Sequence, residues 1–293
     1  DWTSKKRMLL FASYLFYGLW NPPLILLLWI STMVDWVSGN KLAKEEDPIN
    51  RKLWLLLSMS VNLGFLAFFK YGNFLLENFT AMVNAVDIYY HPQKMDILLP
   101  MGISFYTFQT MSYTIDIYNK KIKPANTFLD FALYVTLFPQ LVAGPIVRAK
   151  DLIEQFYEPK KATINQFIWG IFLLTLGLFQ KVVMADTLLS DTSDSVFNSG
   201  KILNIWDAWS GVLAFSGQIF FDFAGYSTCA IGIALMLGII LPDNFRYPYA
   251  SLGFSDLWKR WHISLSSWLK DYLYIPLGGN QHGITRMYAA LMI

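Results

Sequence analysis

Apolar runs recur from end to end of this chain, yet proline, glycine or a carboxylate interrupts most of them. Several stop short of the ~20 residues that a membrane-crossing helix needs. Residues 8–20 are apolar and aromatic, and Asn21-Pro22-Pro23 ends them, because proline has no N–H to donate and clashes with the preceding turn. A second run, 24–37, carries Asp35, and the charged loop 38–52 separates it from a run at 53–69. The stretch 70–96 is mixed, with His91-Pro92 in a loop, and 97–118 holds Gln109 and Asp116 among apolar residues. After a basic loop at 119–126, the run 128–147 is broken at Pro139 and at Gly144-Pro145. A charged connector, 148–161, leads to a spanning helix at 164–184 that ends around Lys181 and Asp186. Runs 205–221 and 223–241 meet at Asp222 without a loop, and a last run begins at Met287.

Irregular backbone at membrane depth survives only when it is buried in protein or lines a wet cavity. The expected fold is therefore all-α: one polytopic membrane domain over 1–293, a compact bundle with short, broken and re-entrant helices. Composition agrees. The chain is 55% hydrophobic and 15% charged, where soluble domains carry about 25% charged residues, and its mean hydropathy is +0.37. A net charge of +2 is too small to point to a nucleic-acid partner. The single cysteine, Cys229, excludes an internal disulfide framework and offers no metal pattern. The chain begins at Asp1 and ends within an apolar run at Ile293, so we expect a piece of a longer protein, trimmed at both ends. Basic residues concentrate at Lys120, Lys121 and Lys123, and at Arg148, Lys150, Lys160 and Lys161, which places both loops in the cytoplasm by the positive-inside rule.

Chemistry-bearing residues gather near the end. Read as one helix, 256–272 aligns Trp258, Trp261, Leu265, Trp268 and Tyr272 on an apolar stripe, with Arg260, Ser264, Ser267 and Asp271 opposite. His262 falls at the edge of that stripe beside Ser266, dry enough to stay neutral yet within reach of a hydroxyl. The plainer alternative is a histidine hydrogen-bonded to a backbone carbonyl, fixing two helices together. Asp256 and Arg260 are spaced to pair. Asp222, inside an aromatic run, must pair or neutralise, with Lys181 or Arg260 as partner, or else it caps a helix starting at Phe223. Gln109 and Asp116 are weaker intramembrane candidates. His91 and His282 read as surface residues. Apolar surroundings disfavour a nucleophilic thiolate at Cys229.

Five blocks carry a resemblance: "MGISFYTFQTMSYTIDIY" (101–118), "FPQLVAGPIVR" (138–148), "FFDFAGYS" (220–227), "NFRYPYAS" (244–251) and "DLWKRWHISLSSWLKDYLYIPLGGN" (256–280). In this order and combination the chain resembles the membrane-bound O-acyltransferase family, within it the bacterial branch of alginate O-acetylation, with teichoic acid D-alanyl transferases as more distant cousins. The resemblance implies an enzyme of the cell inner membrane. It would move an acyl group, usually acetyl, from a cytoplasmic-side donor (acetyl-CoA or an acyl carrier) to hydroxyls of an extracytoplasmic polysaccharide, through a tunnel. No bound cofactor or metal is implied; the donor is a co-substrate, and extracytoplasmic acetylation proteins are the expected partners besides the bilayer. His262 matches one of the family's two key histidines; the second is expected on a later helix than these residues contain. Asp222, Arg260, Trp261, Ser266 and Gln109 are the candidate substrate-binding residues around catalytic His262. D-alanyl or other acyl transfer to a cell-wall polymer is the nearest alternative. A transporter or a non-catalytic scaffold of an acylation complex is the more distant one.

Overall fold

A computed structural model describes residues 1–200, 203–281 and 283–292. Among them it is helical, with no strand, and the chain is an all-α polytopic membrane protein. It divides into two compact units: Thr3–Val142 with Arg148–Ile153, and Ala143–Val147 with Glu154–Ile293. Among the described residues, four helical stretches are long and apolar enough to cross a membrane: Pro22–Lys44, Pro48–Asn84, Ile164–Phe197 and Ile205–Met236.

The first unit is built on α1 (Trp2–Trp20), α2 (Ile25–Lys44), α3 (Pro48–Asn84), α4 (Ile103–Tyr118), α5 (Phe128–Thr136), α6 (Phe138–Leu141) and α7 (Ala149–Leu152). Asn21-Pro22-Pro23 does separate α1 from α2, and the 128–147 run is broken near Pro139 as expected. The expectation of short segments fails at α3, which runs 37 residues. Its Lys70, Asn73 and Glu77 do not end the helix because they are met from outside it: Asn73 exchanges two 3.0 Å hydrogen bonds with the Met95 backbone, and Glu77 pairs with Lys94 at 2.7 Å. The core centres on Phe131 against Tyr113, ring centroids 4.4 Å apart. Buried Asp35 on α2 accepts from Ser58 Oγ at 2.5 Å and Asn62 Nδ2 at 2.9 Å on α3, so its lone pairs are met by hydroxyl and amide donors.

The second unit holds α8 (Ile164–Leu178), a π-helical stretch at Phe179–Leu189, α9 (Ser190–Phe197), α10 (Ile205–Met236), α11 (Phe254–Trp258), α12 (Ile263–Leu269) and α13 (Ile284–Met292). Thr163 and Gln166 form a reciprocal cap that starts α8. The expected stop near Lys181 does not occur; the helix widens into π geometry there and continues. Residues 205–236 form one unbroken helix, so Asp222 does not cap a helix at Phe223. The capping reading is corrected because Asp222 has an ion-pair partner across the interface. Helices α8 and α10 run antiparallel at backbone contact. A methyl on Gly225 would lie 2.8 Å from the Gly177 carbonyl oxygen, and one on Gly232 2.7 Å from that of Gly170, as expected where small residues let membrane helices approach.

Candidate active site

After α10 the chain passes through an irregular stretch whose Asn244 is 1% exposed. The Asn244 carbonyl accepts from the Ile263 N–H, and the Arg246 N–H donates to the Arg260 carbonyl, both at 2.9 Å. These two bonds take the backbone groups that a continuous 256–272 helix would have used internally. The helix is therefore interrupted: α11 ends at Trp258 and α12 starts at Ile263. His262 is the hinge, in the left-handed region at φ 44 and ψ 53, a conformation that costs a non-glycine residue roughly 1–3 kcal/mol and persists only where its surroundings impose it. This corrects the amphipathic-helix expectation. His262 owes its place at a boundary to a turn, with Ser266 N–H donating to its carbonyl at 3.0 Å.

The imidazole is oriented by Asn244. The Asn244 side-chain oxygen accepts from the Ser264 N–H at 3.3 Å and from Ser264 Oγ at 2.8 Å, while its amide nitrogen donates to Ser227 Oγ at 3.0 Å. A backbone N–H can only donate, so the amide orientation is set. His262 Nδ1 lies 3.1 Å from that same oxygen and must donate to it in the neutral ring. The lone pair then resides on Nε2. Ser264 Oγ in turn accepts from the Ile146 N–H at 3.0 Å. Phe223 meets the ring edge to face at 4.6 Å. His262 is 9% exposed, and burial pushes its pKa down to about 4, so the imidazole is neutral at physiological pH.

Trp261 packs at 89° on Phe245, centroids 5.2 Å apart, and against Phe220 at 6.0 Å. Ser266 Oγ donates to the Trp261 carbonyl at 3.2 Å. Arg260 pairs with Asp256 at 3.0 Å as spaced, and with the Leu252 N–H it holds the Asp256 carboxyl below the usual range. Asp222 pairs with Lys181, which also reaches Asp186 at 2.7 Å; Arg260 is not its partner. Gln109 lies in the other unit, where it donates to the Tyr134 carbonyl at 2.7 Å and accepts the Tyr134 hydroxyl on its own carbonyl at 3.0 Å. His282 lies outside the described residues. Among the described residues, no group of three His, Cys, Asp or Glu side chains is placed to hold a metal ion. Asn244 and Ser227 carry no signal as individual residues. Asn244 and Ser227 stand in quoted blocks, but nothing in their spacing says that a loop asparagine and a helical serine share an imidazole.

A family model for membrane-bound O-acyltransferases matches residues 123–293. The chain is 40% identical over 295 residues to "Probable alginate O-acetylase AlgI" of Pseudomonas putida, covering 99% of this chain and 59% of that protein. It is 37% identical over 302 residues to a peptidoglycan O-acetyltransferase of Helicobacter pylori, covering 94% of this chain and 56% of that protein. It is 27% identical over 191 residues to a teichoic acid D-alanyltransferase of Bacillus subtilis, covering 64% of this chain and 47% of that protein. The chain thus spans somewhat over half the length of the first two relatives and just under half that of the third.

Proposed function

Because this chain belongs to the membrane-bound O-acyltransferase family, we propose that it is the core of an enzyme transferring an acyl group, acetyl in the first instance, to hydroxyls of an extracytoplasmic polysaccharide. The relatives named for alginate and peptidoglycan O-acetylation support a glycan acceptor. The donor is a thioester, acetyl-CoA or an acyl carrier, reached from the cytoplasmic side of the inner membrane.

The observation that carries the reading is the oriented, neutral imidazole: Asn244 holds the Nδ1 proton, so the ring's lone pair lies on Nε2. In the reaction a sugar O–H gives its proton to an imidazole as the oxygen attacks the thioester carbonyl. The tetrahedral intermediate collapses to the ester, and the thiolate leaves and is reprotonated. With a second histidine from the rest of the protein as base, His262 orients the acceptor by accepting a hydrogen bond from one of its hydroxyls on Nε2. Arg260 and Trp261 bind substrate beside it, and Ser266 holds the Trp261 backbone.

The test is polysaccharide acetylation in cells carrying the full-length protein with His262→Ala, with its membrane abundance measured in parallel. Loss of about 100-fold or more at normal abundance is expected for a proton-transfer or orienting role. Unchanged acetylation would return His262 to a structural part and leave a transporter or scaffold reading in its place.

A further inference from the structure

Beside the His262 turn, Tyr249, Leu257, Trp258 and Trp261 form with Ser216 and Ile219 of α10 a cleft of about 270 Å³. We propose that this cleft is a sugar-binding subsite that receives the acceptor glycan on its way to His262. The proposal rests on the acyl-transfer reading above and adds to it which residues hold the acceptor and from which side it comes.

Depth along α10 gives the direction of approach. Gln155 exchanges two 2.9 Å hydrogen bonds with the Ile240 backbone, and a methyl on Gly238 would lie 3.0 Å from the Ala162 nitrogen. The Met236 end of α10 therefore adjoins the connector that carries Lys160 and Lys161, and positive charge marks that end as cytoplasmic. At 1.5 Å per residue, Ser227 and Phe223, which hold the Asn244–His262 pair, stand about 14 and 20 Å from it, and Ile219 and Ser216 about 26 and 30 Å. The cleft therefore lies farther from the cytoplasmic end of α10 than His262 does, on the side from which an extracytoplasmic glycan arrives.

The lining suits a sugar ring. Aromatic faces carry negative charge and edges positive, so the polarised C–H face of a pyranose stacks on them. Trp258 is 58% exposed and Tyr249 59%. Tyr249 is nevertheless held, its hydroxyl donating to the Ser216 carbonyl at 2.6 Å and its ring 6.2 Å from that of Trp261. Asp256 and Arg260, next along the chain to Leu257 and Trp261, are paired and about one-third exposed, and they offer acceptor and donor atoms to ring hydroxyls. Residues of an interfacial belt project singly into the headgroup layer; here three aromatic rings line one cleft.

The experiment uses full-length protein in detergent, titrated calorimetrically with a mannuronate hexamer and, separately, an N-acetylglucosamine hexamer. The wild type should bind at least one of them. Trp258→Ala should weaken that binding about tenfold or more, whereas Trp258→Phe should stay within about threefold of wild type. Binding is read here and acyl transfer in the His262→Ala cell test above, so that a failure of the transfer reading remains separable from a failure of this one. Equal binding by wild type and Trp258→Ala, or no binding of either hexamer by folded wild type, would overturn the subsite.

Discussion

Asn244 determines which imidazole nitrogen of His262 can accept a proton, and that makes it a positioning residue. Asn244→Ala removes the acceptor from both His262 Nδ1 and the Ser264 N–H, so acyl transfer should fall about tenfold or more as the ring loses its tautomer. Asn244→Asp restores an acceptor but sets a carboxylate beside the ring, which favours the imidazolium. Its acid limb in the pH–rate profile should move to higher pH, a signature that a merely structural role would not give. His262 also links stability to pH. Its folded pKa of about 4 lies below the 6.5 of the free side chain, so the unfolded chain binds the extra proton between those values. The associated stability is complete above pH 6.5 and is lost as pH falls towards 4, by up to roughly 3 kcal/mol. Thermal unfolding of the full-length protein in detergent between pH 7.5 and 4.5 should show a loss that His262→Gln flattens. An identical slope in the variant would remove His262 as its cause.

At the scale of elements, α8 and α10 meet backbone to backbone. The neighbours a methyl would meet at Gly225 are backbone atoms, Gly177 O and Lys181 N, both at 2.8 Å, and backbone cannot rotate aside as a side chain does. Gly225→Ala should therefore push the helices apart at a cost of about 1–3 kcal/mol, read as a lower melting temperature. Gly64 on α3 has nothing within 4 Å of an added methyl, and Gly64→Ala should be neutral or slightly stabilising through helix propensity. Equal losses at the two positions would count against close packing as the cause. The ionic group beside this contact, Lys181 with Asp186 and Asp222, accompanies the π-helical stretch. Wider helices of this kind commonly mark functional segments.

At the scale of the whole molecule, each unit brings a basic end together. Arg51 on α3 donates to the Tyr118 carbonyl at 2.6 Å, which joins the start of α3 to the loop holding Lys120, Lys121 and Lys123. In the second unit the Lys160–Lys161 connector lies at the end of α10. If positive charge is retained in the cytoplasm, Leu203 between α9 and α10 faces outside and Lys160 inside. In a full-length Cys229→Ser background, Leu203→Cys should react with a membrane-impermeant maleimide in intact cells, and Lys160→Cys only after lysis. The reverse pattern would invert the topology, and with it the side from which the aromatic cleft is reached.

From the order of residues alone one can read that this is an all-helical membrane protein, where Asn21-Pro22-Pro23 and Pro139 break it, and that Asp256 pairs with Arg260. Those features depend on local rules: apolar content, the missing proline N–H, and i,i+4 geometry. Helix lengths read from apolar content fall short at Lys181 and Asp222, which look like stops although they pair with each other across two helices. The turn at His262 is invisible for the same reason, that its partners come from elsewhere in the chain. Helical periodicity favours a continuous 256–272 helix, and only Asn244 and Arg246, brought alongside by the end of α10, offer the competing hydrogen bonds that break it. Which nitrogen of His262 accepts a proton is likewise a tertiary fact, because it depends on a side-chain oxygen 18 residues away in sequence that the fold brings to 3.1 Å.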